Sequence, residues 1–375
     1  MTLVREDAPF MARAIQLAKR GVYTTSPNPN VGAVIVKNGE IVGEGWHQKA
    51  GQAHAEINAL EQAGEAAKGA TCYVTLEPCC HQGKTGPCSD ALINAGIERV
   101  VVAMQDPNPK VAGKGIAQLE AAGLQVDYGL MSPDAEAINP GFCHLMRTGR
   151  PYITIKMAKS IDGRTAMASG ESKWITGPEA RGDVQRIRAR QSAVVTGIET
   201  ILHDDAKLDV RYPELGYAHD VLDEADVRQP LRVIVDSRLR IPLLARVLTP
   251  TDSVMIATTE EAPSIKAEQL RKRGVQVEIF PQEHRRVSLK ALVQKLADMQ
   301  CHSVMVESGA TLAGNFVSQG MIDEYILFMA PKLLGSEARG LFQTPGLRKM
   351  SQAMRLKITD CRHIGEDLRI TLRPE

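Results

Sequence analysis

The sequence predicts an α/β protein of two domains. The chain has 375 residues, apolar strands alternate with amphipathic helices, and the alternation breaks near residues 139–151. A chain of this length exceeds the size that one hydrophobic core usually serves. Helices that alternate with apolar strands are typical of layered sheets. We therefore expect a first domain over residues 1–148 and a second over 149–375.

The first domain is predicted to open with a helix and a hairpin. "DAPFMARAIQLAKRG" offers Asp7 as a cap, Pro9 in the first turn and Gly21 as a stop. Two apolar runs around Asn38 and Gly39 predict a β-hairpin. The elements expected next are the helix "HAEINALEQAG", the strand "ATCYVTL", the helix "CSDALINAGI", the strand "RVVVAM" and the helix "GIAQLEAAG".

The second domain is predicted to hold a longer series of strands. They are expected at "YITIKMA", "SAVVTG", "LRVIVD", "SVMIAT", "VQVEIF", "HSVMVES" and "DEYILFMA". The polar, acidic stretch 212–230 interrupts this series, and we expect it to be a surface excursion.

Composition narrows the class of protein. The chain has 45 basic and 44 acidic residues, and aromatic residues make up only 4%. This balance argues against a general nucleic-acid binder. We find no signal peptide in "MTLVREDAPFMARAI" and no apolar run of about 18 residues, so we expect no membrane partner. The odd number of cysteines, 7, fits metal binding or catalysis in a reducing cytoplasm better than a disulfide framework.

A cysteine-rich stretch, "TLEPCCHQGKTGPC", follows a predicted strand and leads into a helix. Upstream, His54 and Glu56 stand two residues apart where another helix should begin. One imidazole and two thiolates would give a three-ligand zinc site with an open fourth position. We predict His54, Cys79 and Cys88 as the metal ligands. Glu56 is predicted as the catalytic residue that moves a proton between the attacking water and the departing amine.

The other residues of the stretch leave alternatives open. The usual spacing in zinc deaminases is Pro-Cys-x-x-Cys, whereas eight residues separate Cys79 from Cys88 here. Cys80 is interpreted as a packing residue, and Cys72 as a small buried hydrophobe in a strand. His81 is a competing fourth ligand, which would make the site a closed structural one.

Three segments, "SPNPNVGAVIV", "GEGWHQKAGQAHAEINAL" and "TLEPCCHQGKTGPC", resemble the deaminase domain of the bifunctional riboflavin-biosynthesis deaminase/reductases, the RibD family. This resemblance implies a cytidine-deaminase-like α/β/α fold. It also implies that Asn28, His47 and Lys84 bind a pyrimidine that carries a ribose phosphate. Without it, Asn28 is equally well a turn residue and His47 a packing residue at the end of a hairpin.

Two stretches of the second domain carry a further signal. They are "YITIKMAKSIDGRTAMASGESKWITG" and "SVMVESGATLAGNF". In the latter, a strand leads into a glycine-bearing turn and a helix, a weak phosphate-binding pattern by itself. Together with "DDAKLDVR" and "VIVDSRLRIP", they resemble the reductase domain of the same family, which has a dihydrofolate-reductase-like α/β fold.

The resemblance implies zinc and NADPH as cofactors and a second set of site residues. The implied NADPH positions are Ala158, Trp174, Thr200, Asp204, Ser237, Gly309, Ala310, Thr311, Leu312, Ala313, Gly314 and Asn315. The implied substrate positions are Lys156, Ser172, Arg188, Leu208, Arg211 and Glu307. Strand alternation alone leaves open whether Lys156 faces the site or water, and a lone arginine is equally well a solvated charge.

The implied chemistry is two steps on one small molecule. The first is hydrolysis of the 2-amino group of 2,5-diamino-6-ribosylamino-4(3H)-pyrimidinone 5′-phosphate, and the second is reduction of the ribosyl group to ribityl with NADPH. We expect a homo-oligomer, a dimer or a tetramer. The alternatives are a deaminase of nucleic-acid bases, a non-enzymatic zinc-stabilised binding module, and a reductase half that serves only as a scaffold.

Overall fold

The computed structural model describes residues 6–80, 86–109, 111–251 and 253–375. The chain forms two compact units, Met1–Gly149 and Arg150–Glu375. The sequence analysis divides the chain after residue 148. Within the described ranges, no helix is both long and apolar enough to cross a membrane.

The first unit is a five-stranded sheet with helices on both faces. Its elements are α1 (Ala8–Ala18), β1 (Gly32–Lys37), β2 (Glu40–Trp46), α2 (Ala55–Ala63), β3 (Thr71–Val74), α3 (Cys88–Asn94), β4 (Arg99–Val102), α4 (Lys114–Ala121), β5 (Gln125–Tyr128), α5 (Ser132–Ile138) and α6 (Pro140–Thr148). The strand order is β2-β1-β3-β4-β5. The β1–β2 hairpin is confirmed, and Asn38 and Gly39 both adopt positive φ values at its turn.

Two apolar layers cover the faces of this sheet. Met11 of α1, Ala135 of α5 and Phe142 of α6 share one cluster with β1 and β4 residues. On the opposite face, α2, α3 and α4 pack together, with Ala59 and Leu92 in the core. The first turns of α2 and α3 therefore lie at the same edge of the sheet as the end of β3.

In the part of the chain that the structure describes, the second unit has thirteen strands, of which nine form one main sheet and four form two separate two-stranded sheets. Its strands are β6 (Tyr152–Ser160), β7 (Arg164–Ala166), β8 (Ala193–Gly197), β9 (Leu231–Val235), β10 (Val254–Thr258), β11 (Gln276–Ile279), β12 (Gln282–Glu283), β13 (Arg286–Val287), β14 (Ser303–Val306), β15 (Glu324–Ala330), β16 (Arg339–Gly340), β17 (Leu356–Ile364) and β18 (Asp367–Pro374). Its helices are α7 (Pro178–Ala189), α8 (Ile198–Asp204), α9 (Ser264–Lys272), α10 (Leu289–Asp298) and α11 (Ala310–Ser318).

The main sheet of this unit has the order β11-β10-β9-β8-β14-β6-β15-β18-β17. The strands from β11 to β15 in this order run parallel, whereas the pairs β15–β18 and β18–β17 are antiparallel. The carboxyl ends of β9, β8, β14 and β6 therefore meet at one edge of the sheet. In parallel α/β sheets, ligands bind at that edge.

The structure differs from the predicted elements in several places. The segment near 139–151 was predicted as a break, but Pro140–Thr148 is a helix that ends at Gly149, which has a φ of 73°. Strand β5, helix α5 and the C-terminal hairpin of β17 and β18 were not predicted. The stretch 212–230 is mostly exposed, as predicted, although Leu215 and Ala218 are buried within it.

Candidate active sites

The first turns of α2 and α3 bring three side chains together. His54 caps α2 and Cys88 is the first residue of α3, after Pro87. The Nδ1 atom of His54 lies 3.2 Å from Sγ of Cys88 and 3.6 Å from Sγ of Cys79. In protein sites, zinc–nitrogen bonds are about 2.0 Å long and zinc–sulfur bonds about 2.3 Å. At a tetrahedral angle, a nitrogen and a sulfur that bind the same zinc ion therefore lie about 3.5 Å apart. The donor set and its spacing therefore fit a zinc ion.

The other cysteines of the region differ from this pair. Among the residues that the structure describes, the metal-capable group comprises His54, Cys79 and Cys88, and Cys80 is not a member. Cys72 is buried in β3, and burial raises the pKa of its thiol. His81, the competing ligand, and Lys84, the predicted phosphate contact, lie outside the described residues.

Glu56 lies in the first turn of α2 and is 3% exposed. Burial, followed by the negative charge of Cys79, raises the pKa of Glu56 to about 7. A hydrogen bond with Cys88 outweighs the effect of burial and lowers the pKa of Cys79. A carboxyl group with a raised pKa beside a thiolate can both accept and return a proton near neutral pH.

The predicted substrate residues Asn28 and His47 lie beside this group. The His47 ring packs edge-on against the His54 ring, with 5.3 Å between centroids. Burial lowers the pKa of His47. The neutral ring donates from Nδ1 to the Ala53 carbonyl at 3.0 Å, and its Nε2 accepts from Asn28 Nδ2 at 3.1 Å. This pairing orients both side chains.

A remote contact, which the sequence analysis did not predict, holds the loop that carries Asn28. The backbone N–H of Asn30 donates to Oδ1 of Asn139 at 2.7 Å, and Nδ2 of Asn139 donates to the Asn30 carbonyl at 2.8 Å. Asn139 is 6% exposed. No local pattern could have paired these residues, because they lie 109 positions apart.

In the second unit, Lys156, Arg188 and Glu307 form one ion-pair cluster. Lys156 Nζ lies 3.3 Å from Glu307 Oε1, and Arg188 Nη2 lies 3.0 Å from Oε2. Burial opposes the charge of Glu307, but Arg188 and Lys156 outweigh it and lower the pKa of Glu307 to about 2. Lys156 therefore points towards Glu307 at the end of β14. The cluster has two cations for one anion.

Two other predicted substrate residues, Leu208 and Arg211, lie in the segment after α8, which is linked to Arg188. Arg188 Nη1 donates to the Asp209 carbonyl at 2.5 Å. Arg211 forms ion pairs with Glu214 and, at 3.5 Å, with Asp209. Leu208 is buried with a φ of 57°. Ser172 is half-buried in the connection between β7 and α7.

The predicted cofactor positions lie near the carboxyl ends of neighbouring parallel strands. Ala158 lies near the end of β6, and Thr200 and Asp204 lie on α8, directly after β8. The Arg181 guanidinium stacks over the exposed Trp174 ring, 4.5 Å from the ring centroid. Lys173 Nζ, next in the chain, lies 3.8 Å from Asp204 Oδ1.

The remaining predicted cofactor positions are Ser237 and the 309–315 turn. Ser237 Oγ accepts the Val287 N–H at 3.1 Å, which leaves the hydroxyl proton free to donate. Gly309 caps α11, and a Cβ atom added there would meet nothing within 4 Å. Gly314 is different, because a Cβ atom there would lie 1.9 Å from the Gln343 carbonyl oxygen. The structure therefore gives the two glycines different roles.

Comparisons with known proteins match two family models to different parts of the chain. Residues 151–370 match the model of the RibD C-terminal domain, and residues 4–104 match the cytidine and deoxycytidylate deaminase zinc-binding region. The riboflavin biosynthesis protein RibD of Escherichia coli K12 is 50% identical over 97% of this chain and 98% of its own length. The Haemophilus influenzae protein of that name is 47% identical, with 99% and 98% covered.

The chain belongs to the RibD family. Among solved structures, Acinetobacter baumannii RibD superposes with a TM-score of 0.92 at 47% identity, with 99% of both chains covered. A deaminase/reductase from Thermotoga maritima superposes with a TM-score of 0.84 at 32% identity, covering 98% of this chain and 99% of that one. The predicted fold class is confirmed in both halves.

As a member of this family, the chain is a bifunctional deaminase and reductase of riboflavin biosynthesis. The predicted cofactors, zinc and NADPH, are confirmed for the family's two domains, and the substrate is a small molecule. The alternatives of a nucleic-acid-base deaminase, a binding module and a scaffold reductase half are set aside.

Proposed function

We propose that the first unit hydrolyses the 2-amino group of 2,5-diamino-6-ribosylamino-4(3H)-pyrimidinone 5′-phosphate. The second unit then reduces 5-amino-6-(5-phosphoribosylamino)uracil at its ribosyl group. The Thermotoga maritima relative carries the name of a diaminohydroxyphosphoribosylaminopyrimidine deaminase and 5-amino-6-(5-phosphoribosylamino)uracil reductase. The observation that carries the proposal is the group of His54, Cys79 and Cys88, with the buried carboxyl of Glu56 in the first turn of α2.

In the deaminase site, His54, Cys79 and Cys88 would hold the metal. Bound zinc supplies Lewis acidity and a water of lowered pKa at its open position. Glu56 takes one proton from the attacking water and gives it to the ring nitrogen. It then moves the second proton of that water, from the new C–OH group, to the amine, which leaves as ammonia as the carbonyl forms. The C–N bond breaks as a C–O bond forms, so one water is consumed for each ammonia released. The raised pKa of Glu56 suits both halves of this transfer.

Asn28 and His47 would orient the pyrimidine. Their mutual hydrogen bond fixes the Asn28 amide, whose oxygen can still accept a hydrogen bond from the substrate. Lys84 is proposed to meet the ribose phosphate, as a compact positive charge can.

In the reductase site, the proposed cofactor positions are Ala158, Trp174, Thr200, Asp204, Ser237 and the 309–315 turn. The N–H groups at the start of α11 suit a phosphate of NADPH, which supplies the hydride when bound. The proposed substrate positions are Lys156, Ser172, Arg188, Leu208, Arg211 and Glu307.

The charges of the proposed substrate residues support their assignment to a phosphorylated sugar. The cluster of Lys156, Arg188 and Glu307 keeps a net positive charge, which suits a phosphorylated sugar. Arg211 is half exposed and paired with Glu214 on the surface, so a phosphate would compete with a solvated carboxylate for its guanidinium.

The test is incubation of the full chain with the diaminopyrimidine substrate, with and without NADPH, while ammonia and NADPH oxidation are followed. We expect ammonia release in both samples and oxidation of NADPH only after deamination. NADPH oxidation that precedes ammonia release would contradict the proposed order of steps.

We also propose that the chain forms a homo-oligomer, a dimer or a tetramer, in the cytoplasm. The edge strand β17 supports association, because it presents backbone groups that a second copy can pair with. The seven cysteines are free, which is compatible with a reducing compartment. Light scattering on the purified chain and cell fractionation test the two proposals.

A further inference from the structure

The side chain of Glu77 joins the metal-ligand loop to α4. Its carboxylate is 3% exposed and accepts four backbone N–H groups. Oε2 accepts from Asp106 at 3.1 Å and from Gly113 at 2.9 Å. Oε1 accepts from Gly115 at 2.9 Å and from Ile116 at 3.3 Å. Two of the donors belong to the first turn of α4, whose N–H groups have no partner within the helix.

The next residue, Pro78, is held by close packing of its backbone against α4. A Cβ atom added to Gly115 would lie 2.0 Å from the Pro78 carbonyl oxygen. The backbone of the loop therefore packs directly on the backbone of α4, and only glycine permits this approach at residue 115.

Cys79 is held by α3. Its carbonyl accepts from the Ser89 N–H at 3.2 Å and from the Ser89 hydroxyl at 3.1 Å. Its Sγ accepts from the Cys88 N–H at 3.4 Å. Three consecutive residues are thus fixed. Glu77 is held through its carboxylate, Pro78 through a backbone contact with α4, and Cys79 through the N-terminus of α3.

We infer that Glu77 is a positioning residue that sets Cys79 Sγ at the distance from His54 which a metal ion requires. This inference rests on the proposed deaminase function. Its chemistry requires a carboxylate, because two oxygens offer about four acceptor sites for four donors. An amide at residue 77 would keep one oxygen and turn its NH₂ group towards N–H donors.

The test uses the full chain and Glu77→Gln, with Asp7→Asn as a matched control. Asp7 is another buried carboxylate of the same unit, 2% exposed and bonded to Tyr73 at 2.6 Å and Arg99 at 2.8 Å. Zinc affinity is measured by competition with a chromophoric chelator, and the geometry of the site by the absorption spectrum of the cobalt-substituted chain.

Glu77→Gln is expected to lower zinc affinity about tenfold or more, as changes in the surroundings of metal ligands do, and to alter the cobalt spectrum. Asp7→Asn should lower the melting temperature but leave both metal readouts unchanged. Glu77→Asp keeps the charge on a shorter arm, and we expect it to fold with a smaller loss of affinity. NADPH oxidation with the deaminated substrate checks that each variant retains its reductase unit.

Wild-type zinc affinity and cobalt spectrum in both Glu77 variants would overturn the inference and leave Glu77 a stabilising helix cap. If the wild-type chain itself binds no zinc, the proposed deaminase function fails as well, so the two failures are distinguishable.

Discussion

The Nδ1 atom of His54 lies 3.2 Å from Sγ of Cys88, which stands 34 positions later in the chain. Each residue stands at the N-terminal end of its helix, so the positive ends of α2 and α3 converge on one point. Helix N-termini stabilise thiolates, and a metal ion requires them. The ligand set therefore depends on how these two helices pack, and each ligand can be tested separately.

Replacing Cys79 or Cys88 by serine is expected to remove zinc, whereas Cys80→Ser should keep it. The physical reason is that Cys79 and Cys88 lie in the cluster with His54, and Cys80 does not belong to it. We expect about one zinc ion per wild-type chain, measured by elemental analysis after removal of loosely bound metal. Zinc that survives Cys88→Ser and is lost in Cys80→Ser would overturn the ligand assignment.

Glu56→Gln is expected to retain zinc and lose deamination. The amide keeps the size of the side chain but cannot accept the proton, and general-base catalysis contributes roughly 10²–10⁴-fold. Ammonia release measures the loss, and metal content shows that the site is intact. NADPH oxidation with the deaminated substrate is the internal control and should be unchanged. Ammonia release at the wild-type rate would contradict the proposed proton transfer.

Much of the fold could be predicted because most of its strands and helices carry a local signal. The β1–β2 hairpin follows from Asn38 and Gly39, which tolerate positive φ. Helix α6 was missed because Pro140 and Gly141 look like a break. Pro140 instead occupies the first turn, where its missing N–H has no partner to lose. The β17–β18 hairpin was missed although β18 alternates between apolar and polar residues, because its partner β17 is mostly exposed and its register shifts between Ile358 and Asp360.

In the sites, too, features set by neighbouring residues could be predicted, whereas contacts between distant residues could not. The spacing of His54 and Glu56 is local, and it predicts their place at one helix start. The direction of Lys156 depends on Glu307, 151 positions away, and the loop of Asn28 depends on Asn139. Such contacts are set by strand order and packing, which one sequence does not specify.

Gly309→Ala and Gly314→Ala are expected to act differently on the reductase unit. A methyl group at residue 309 meets open space at the start of α11, so the unit should fold normally and bind NADPH several-fold more weakly. A methyl group at residue 314 meets the Gln343 carbonyl, which should cost about 1–3 kcal/mol of stability. Thermal unfolding and NADPH titration separate the two effects.

Deamination serves as the control for both glycine variants, and it should persist. An unchanged melting temperature in Gly314→Ala would show that α11 does not pack on the Gln343 backbone. Unchanged NADPH affinity in Gly309→Ala would remove the 309–315 turn from the cofactor site.

Glu307→Gln is expected to destabilise the chain at neutral pH by about 3 kcal/mol, because it leaves Arg188 and Lys156 mostly buried without a counter-charge. The pKa of Glu307 falls from 4.5 to about 2 on folding. A lowered carboxyl pKa stabilises the folded state above the unfolded pKa, and the effect is lost as pH falls through the folded pKa. The difference in unfolding free energy between wild type and variant should therefore stay constant from pH 8 to about 5 and shrink from about 4.5 towards 2.

Urea unfolding at each pH measures this difference, and Glu214→Gln is the matched control. Glu214 pairs with Arg211 on the surface, where both side chains are more than 40% exposed, and such pairs contribute less than about 1 kcal/mol. If Glu307→Gln costs no more than Glu214→Gln at pH 7, then Glu307 does not hold the two cations. The net positive cluster proposed to meet the sugar phosphate would then lose its physical basis.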